Sequence, residues 1–301
     1  ARKGRLNLPT GRKTVLRLKE AALKYLTKLE EIGGKDLKKK ESRFSLHLTP
    51  FFNDKPLSAI STFDIERYKK HRQTENAAVG TINRELAALS HLFNMAVEWK
   101  WIDHRPAQIK RFKEDSGRIT YLTSEQCARL IEAAKSHQNR DVYPFIVIGL
   151  ETSMRRMEIL SIKLDNIDTD KRVIYIPKAK GGAREQPITD RLAKFLIGYI
   201  KGAEESQKWL FPSKRSKLGH TVNIEKAFRS AVVDAGFDPS EVVRHTLRHT
   251  AITHLVQAGV DLPTVQRISG HKTLEMVVRY SHQNGEHINA AMDKLERRYL
   301  K

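Results

Sequence analysis

Several side chains here are of types and at spacings that suit attack on a phosphodiester by a hydroxyl group. His245 and Arg248 stand i, i+3, so one helix would present both on one face. Gly270-His271-Lys272 opens a further helix, where an imidazole can donate to a phosphate oxygen. Tyr280 follows in Arg279-Tyr280-Ser281-His282, and Arg155 lies upstream in Thr152-Ser153-Met154-Arg155-Arg156-Met157-Glu158. Such a reaction needs a nucleophile, a proton acceptor, cations for the non-bridging oxygens and an acid for the leaving oxygen. Preplaced charge is usually the largest contribution. Arg155 and Arg248 are candidates for that clamp, because a guanidinium stays charged and its planar fork matches two phosphate oxygens. Glu158, one helical turn beyond Arg155, can hold a neighbouring cation or a backbone amide. A phenol ionises near pH ~10, so Tyr280 needs His245 and nearby positive charge to react at neutral pH.

Each feature has a bland alternative. Arg155 and Glu158 alone make an ordinary surface ion pair, Gly270-His271 an ordinary turn, and a tyrosine at a helix end ordinary packing. Tyr175 and Tyr299 are other tyrosines, without the flanking motif. His245 and His249 stand i, i+4, a spacing that can bind a metal, but Thr246 occupies the place where a metalloprotease helix carries Glu.

In their order along the chain these boxes resemble the tyrosine recombinase family of the phage and mobile-element integrase type. The detailed likeness runs over about residues 123–282. The resemblance implies that Arg155 and Arg248 are the catalytic arginines and Glu158 the supporting acid. It makes His245 the proton acceptor, His271 a phosphate donor and Tyr280 the nucleophile. It also implies a lysine acid in a hairpin turn, for which Lys180 fits better than Lys178. One departure stands out: Ser153 occupies the usual glycine position. The resemblance further implies a covalent 3′-phosphotyrosine intermediate, no metal or cofactor, and a homotetramer on two double-stranded DNA sites. Accessory DNA-bending or directionality proteins are possible partners. A type IB topoisomerase shares the chemistry, and a non-catalytic DNA-binding protein could share the fold; the compact boxes and separate helical first half favour the recombinase.

The elements that must position these groups are mostly helical. The expected fold class is mainly α (α+β), with a helical N-terminal DNA-binding domain and a mostly helical catalytic domain holding a small antiparallel sheet. The 301 residues allow roughly two domains of about 100–200 residues. Residues 1–13 read as a flexible basic leader and as the cut end of a longer protein; the resemblance implies a small arm-site-binding module before them. Residues 14–105 read as the first domain, 106–119 as a linker with Pro106 and Gly117, and 120–301 as the second.

Val15, Leu18, Ala22, Leu26 and Leu29 give helical spacing that Gly33-Gly34 ends. Ser61 or Thr62 can cap a helix to about Arg72, and Thr81 the next, with Ile82, Leu86, Leu89 and Phe93 on one stripe. Thr123-Ser124-Glu125-Gln126 is a capping box. Further helices are expected over 141–152, 155–164, 189–201, 222–235, 244–258, 262–269, 273–281 and 286–299. Strands are expected over 172–177 and 185–188, joined by a turn at Gly181-Gly182. Ile288, Ala291, Met292 and Leu295 form an apolar stripe that could dock on a neighbour or pack on its own domain.

The net charge of +20 points to a polyanionic partner. Each of the four segments above carries a basic surplus. Lys38, Lys39, Lys40, Lys69, Lys70 and Arg72 are the DNA-contact candidates in the first domain, with a solvated face as the alternative. Cys127 is the sole cysteine, which excludes an intrachain disulfide and suits a reducing, cytoplasmic home. No apolar run reaches membrane-span length.

Overall fold

The computed structural model describes residues 15–53, 55–114, 117, 119–177, 182–281, 292–293 and 295–297. It divides into two compact units, Ala1–Gly117 and Arg118–Lys301. Among the described residues, no helix is long and apolar enough to cross a membrane.

The first unit is helical. Helix α1 (Leu18–Glu31) buries Leu18, Ala21, Ala22, Tyr25 and Leu29, and the chain leaves it at Gly33-Gly34. Three consecutive helical pieces follow: α2 (Leu37–Arg43), a π-helical turn (Phe44–Leu48) and α3 (Thr49–Phe52). Helix α4 (Thr62–Thr74) begins with a capping box in which the Ser61 hydroxyl accepts from the Asp64 amide and the Asp64 carboxylate accepts from the Ser61 amide. Helix α5 (Val79–Glu98) starts before the expected cap: Ala78 is its N-cap, and Thr81 lies inside the first turn. Its buried Ile82, Leu86, Leu89 and Phe93 join one core with α1, Phe44, Leu48 and Phe52. Burying each such side chain stabilises by about 1.5–3 kcal/mol.

The segment expected as a linker is partly built into this unit. Ala107 is buried in its core, and Asn83 donates to the Phe112 carbonyl and accepts from the Phe112 amide.

Two of the DNA-contact candidates belong to the interior, which corrects their assignment. Arg72 is 8% exposed and grips buried Glu85 with both Nε and Nη2 (3.0 and 2.9 Å). It also pairs with Glu75, while the Tyr68 hydroxyl donates to Glu85. Lys69 is buried beside Glu66 and lies over the Phe112 ring. The cause is helical phase: Ile65, Tyr68, Lys69 and Arg72 share one face, and that face packs inward. Lys38, Lys39 and Lys70 are exposed, and Lys40 is half-buried.

The second unit opens with α6 (Ser124–Lys135), whose N-cap Thr123 forms the expected box with Gln126. Helix α7 (Val142–Thr152) runs through the core with Val142, Phe145, Ile146 and Ile148 buried. Helix α8 (Arg156–Leu160) follows and is shorter than expected. An antiparallel sheet comes next, in the order β1 (Ile167–Asp168), β2 (Val173–Ile176), β3 (Arg184–Pro187). Its register pairs Ile174 with both Ile167 and Gln186. Alternation sends Ile174 and Ile176 inward and Tyr175 outward. The hairpin turn, with Lys178, Lys180 and Gly181, lies outside the described residues.

Helices α9 (Asp190–Lys201), α10 (Glu225–Asp234), α11 (Arg244–Gln257), α12 (Leu262–Ser269) and α13 (Glu275–Val278) complete the unit. Of the last expected helix, Met292, Asp293 and residues 295–297 are described; they are helical, with Met292 and Leu295 exposed. Ile288 and Ala291 lie outside the described residues.

Helix α11 is held close to α7 because Gly149 has no side chain. A Cβ there would come within 2.9 Å of Leu247 Cδ1 and 3.2 Å of Leu247 Cβ. On another face of α11, the Thr250 hydroxyl accepts from the Leu122 amide and His254 meets the Leu122 carbonyl, both at 3.0 Å. The helix carrying His245, Arg248 and His249 is thus gripped from two sides.

Candidate active site

Arg155, Glu158, His245, Arg248, His271 and Tyr280 come from α8, α11, the α12–α13 turn and the end of α13, and the fold gathers them in one place. Lys180 is outside the described residues.

Arg248 is the most enclosed cation among the described residues, 2% exposed. Its Nη1 donates to the Ser153 carbonyl at 2.6 Å, and its Nη2 meets His271 Nε2 at 3.0 Å. No carboxylate among the described residues pairs with it. Burial first, and the positive charge of Arg155 second, depress its pKa to about 10. A buried cation satisfied by neutral acceptors favours the arrival of an anion.

Ser153 explains the glycine usual at its position. It caps α7 with φ +56°, in the left-handed region, and turns its carbonyl to Arg248. Its own hydroxyl is buried with no hydrogen-bond partner.

Glu158 holds the next part together. Its carboxylate accepts from the Arg155 amide (3.0 Å), Arg155 Nη1 (3.0 Å) and Arg184 Nη2 (3.1 Å). Burial alone would raise this carboxyl; the Arg155 amide and the Arg184 and Arg155 guanidiniums outweigh it and hold the pKa below the usual carboxylate value. Arg155 Nη2 also donates to the Gly270 carbonyl at 3.2 Å. Around one carboxylate the site therefore gathers Arg155, Arg184 and Arg248, a surplus of positive charge.

Arg184 is a residue that sequence reasoning missed. Besides Glu158 it donates to Gln186 Oε1 (2.6 Å) and the Ile268 carbonyl (3.2 Å), and so ties β3 to α8 and α12. Gly270 makes room for it: φ is +65°, and a Cβ would lie 2.8 Å from Arg184 Nε. No local pattern distinguishes Arg184 from the many other basic residues.

His271 bridges Arg248 and Ser269, whose hydroxyl lies 2.8 Å from Nδ1. Burial, then Arg248 and Arg155, lower its pKa to about 4, so the ring is neutral at pH 7. With Nε2 facing the guanidinium donor, the ring proton sits on Nδ1 and goes to the Ser269 hydroxyl.

Tyr280 is 2% exposed, and its ring stands 6.3 Å from that of His271. Burial raises the phenol pKa, while Arg248 and Arg279 pull it the other way. The hydroxyl is bonded to His249 and not to His245, the residue that the resemblance makes its proton acceptor. The distance to Nδ1 of His249 is 2.7 Å, and the sequence reading gave this histidine no role in the reaction. His245 keeps an exposed edge and stacks edge-on against His249, with ring centroids 4.6 Å apart. Burial of the rest of its ring, then Arg248, Arg155 and Arg279, lower its pKa.

The second unit is mainly helical with a three-stranded antiparallel sheet, and it presents arginines, histidines and a tyrosine at one site. The profile of the Phage integrase family matches residues 120–287, more than half of the chain, and the chain belongs to that family. It is 32% identical over 228 residues to a putative integrase of Pseudomonas phage Pf1, covering 75% of this chain and 64% of the relative. It is 30% identical over 256 residues to the shufflon-specific DNA recombinase of Escherichia coli, covering 81% and 64%. The integrase of Escherichia phage P2 is 27% identical over 289 residues, covering 95% and 79%. The chain thus spans just under two thirds of the length of the first two relatives.

Among solved structures, the Tn1549 transposon integrase in complex with transposon right end DNA superposes with a TM-score of 0.78 at 19% identity, covering 93% of this chain and all of that one. A lambda integrase dimer bound to a core site gives 0.71 at 19%, covering 91% and 79%. These likenesses establish a shared fold.

Proposed function

We propose that this chain is a site-specific DNA recombinase that integrates or excises a phage or mobile element. One observation carries the reading: Arg248, buried without a carboxylate partner among the described residues, shares its site with the buried phenol of Tyr280. A scissile phosphate is the anion that fits such a pair. The basic surplus of the chain and the integrase and recombinase relatives support the same reading.

In this reading Tyr280 Oη attacks phosphorus as the bond to the 5′ oxygen breaks. The phenol proton passes to His245, and Lys180 protonates the departing 5′ oxygen. Arg155 and Arg248 hold the non-bridging oxygens, with Glu158 fixing Arg155; His271 joins them as a donor once the phosphate replaces its ring as the partner of Arg248 and the ring proton moves to Nε2. The 3′-phosphotyrosine conserves the bond energy, so a 5′ hydroxyl from a second duplex can reverse the step without ATP. The arginines supply charge that a metal would otherwise provide. The partners would be double-stranded attachment sites in the cytoplasm, a tetramer of this chain across two of them, and accessory DNA-bending or directionality proteins. The Tn1549 and lambda integrases, both captured on DNA, support the DNA partner.

The test is a nicked suicide duplex from the ends of the parent element, mixed with wild-type protein and Tyr280→Phe. A slow, protease-sensitive band in the wild type alone is expected. A band with Tyr280→Phe, or none with either protein on DNA that both bind, would overturn the reading.

A further inference from the structure

The roles above leave a half-buried titratable group at the site without a task. His249 follows Arg248 on α11, and its Nδ1 is 2.7 Å from the Tyr280 hydroxyl, with the two rings 5.7 Å apart at 41°. His245 closes one side of its ring edge-on. The direction of the bond follows from charge. Burial first, then His245, Arg279 and Arg248, lower the His249 pKa to about 4, so the ring is neutral at pH 7. Tyr280 is protonated, because its pKa is raised. The phenol O–H therefore donates, Nδ1 accepts, and the ring proton resides on Nε2.

This bond restrains the rotation of a side chain that must meet a phosphate in line. The site it faces is already arranged: Arg248 holds His271, and Arg155 holds the turn before it through the Gly270 carbonyl. Tyr280 sits just past α13, a helix of one turn, so its backbone gives it little support of its own. A donor–acceptor bond from the firmly packed α11 supplies what the short element lacks.

We propose that His249 is a positioning residue, which accepts a hydrogen bond from the Tyr280 hydroxyl and holds the phenol toward Arg248 and His271 before DNA arrives. This rests on the reading of Tyr280 as the nucleophile. A misplacement of ~1 Å can cost about 100-fold in rate. The role requires an acceptor at the Nδ1 position rather than an imidazole as such. Asparagine places its Oδ1 near that point; phenylalanine fills the space with no acceptor.

The experiment compares wild type, His249→Asn and His249→Phe at pH 7.5. Without DNA, the Tyr280 ¹³Cζ resonance, assigned by its loss in Tyr280→Phe, reports the hydroxyl's bonding. On suicide duplexes, single-turnover adduct formation reports alignment, and a filter-binding Kd reports DNA affinity. We expect His249→Phe to shift the resonance, slow adduct formation about 10–100-fold and leave Kd within about twofold. His249→Asn should stay within about threefold of wild type. An unmoved resonance in His249→Phe overturns the proposal. So does faster cleavage by His249→Phe, which would make the bond a restraining latch. Equal loss in both variants overturns it too, since ring packing would then be what matters. If the wild type itself forms no adduct, the reading of Tyr280 as the nucleophile fails, while the resonance still decides whether His249 holds it.

Discussion

Arg184 and Glu158 join the β-hairpin to the arginine-bearing start of α8: Nη2 lies 3.1 Å from Oε2, and both side chains are largely buried. The same carboxylate holds Arg155 through its backbone and its guanidinium. Neutralising it should leave two cations without their counter-charge. Glu158→Gln keeps the size and removes the charge, and should destabilise by about 3 kcal/mol, the low end for breaking a buried pair because Arg155 is a quarter exposed. Urea denaturation at pH 7 measures this. A loss below about 1 kcal/mol would mean that solvent already screens the cluster.

Ser153 offers a change in the other direction. A non-glycine residue in the left-handed region costs roughly 1–2 kcal/mol, and a buried unpaired hydroxyl about 1–3 kcal/mol. Glycine removes both, at about 0.5–1 kcal/mol of extra chain entropy. The Arg248 bond goes to the Ser153 carbonyl, which glycine keeps. Ser153→Gly should therefore stabilise the chain by about 1 kcal/mol, read as a higher urea midpoint, and leave DNA cleavage intact.

These two cases show where the sequence was informative. The left-handed need at Ser153 was visible as a departure from a motif, because turn geometry is a local property. Helices with clean apolar stripes, such as α1 and α5, and the Thr123–Gln126 box were legible for the same reason. The stretch over α2, the π-helical turn and α3 was not. Leu37–Arg43 is a charged run, and its helix is held by Phe44, Leu48 and Phe52 beyond it, which join the core. Arg184 and His249 were obscure because their partners are remote: Glu158 is near Arg184 only across the sheet, and Tyr280 reaches His249 only once α13 folds back on α11. Arg72 had the phase of the buried stripe, but its charge suggested the surface.

The histidines make stability depend on pH. His249 and His271 have folded pKa values of about 4, and that of His245 is lowered as well. An unfolded chain would protonate them near pH ~6.5. The folded state thus binds fewer protons between those values, so its stability is complete above about pH 6.5 and declines as pH falls toward about 4. Urea midpoints at pH 7.5, 6 and 5 should decrease in that order. A midpoint unchanged from pH 7.5 to 5 would show that these rings gain protons as freely when folded.

The first unit separates two kinds of basic residue that look alike in sequence. Arg72 is bound to Glu85, which is 1% exposed, and has no guanidinium edge to offer a phosphate. Arg72→Ala strands that carboxylate and should cost about 3–5 kcal/mol of stability. At temperatures where the variant stays folded, its DNA affinity should fall with salt as steeply as that of the wild type. Lys38, Lys39 and Lys70 are exposed, and Lys39 has only a 3.6 Å, solvent-exposed approach to Asp36. Each of them that meets a phosphate should, as alanine, lower the slope of log K against log salt by about 1, with stability changed by less than about 0.5 kcal/mol. Binding titrations across a range of salt concentrations test both halves. A reduced slope in Arg72→Ala would return that residue to the DNA surface, and unchanged slopes in all three lysine variants would move the contact to another face of the unit.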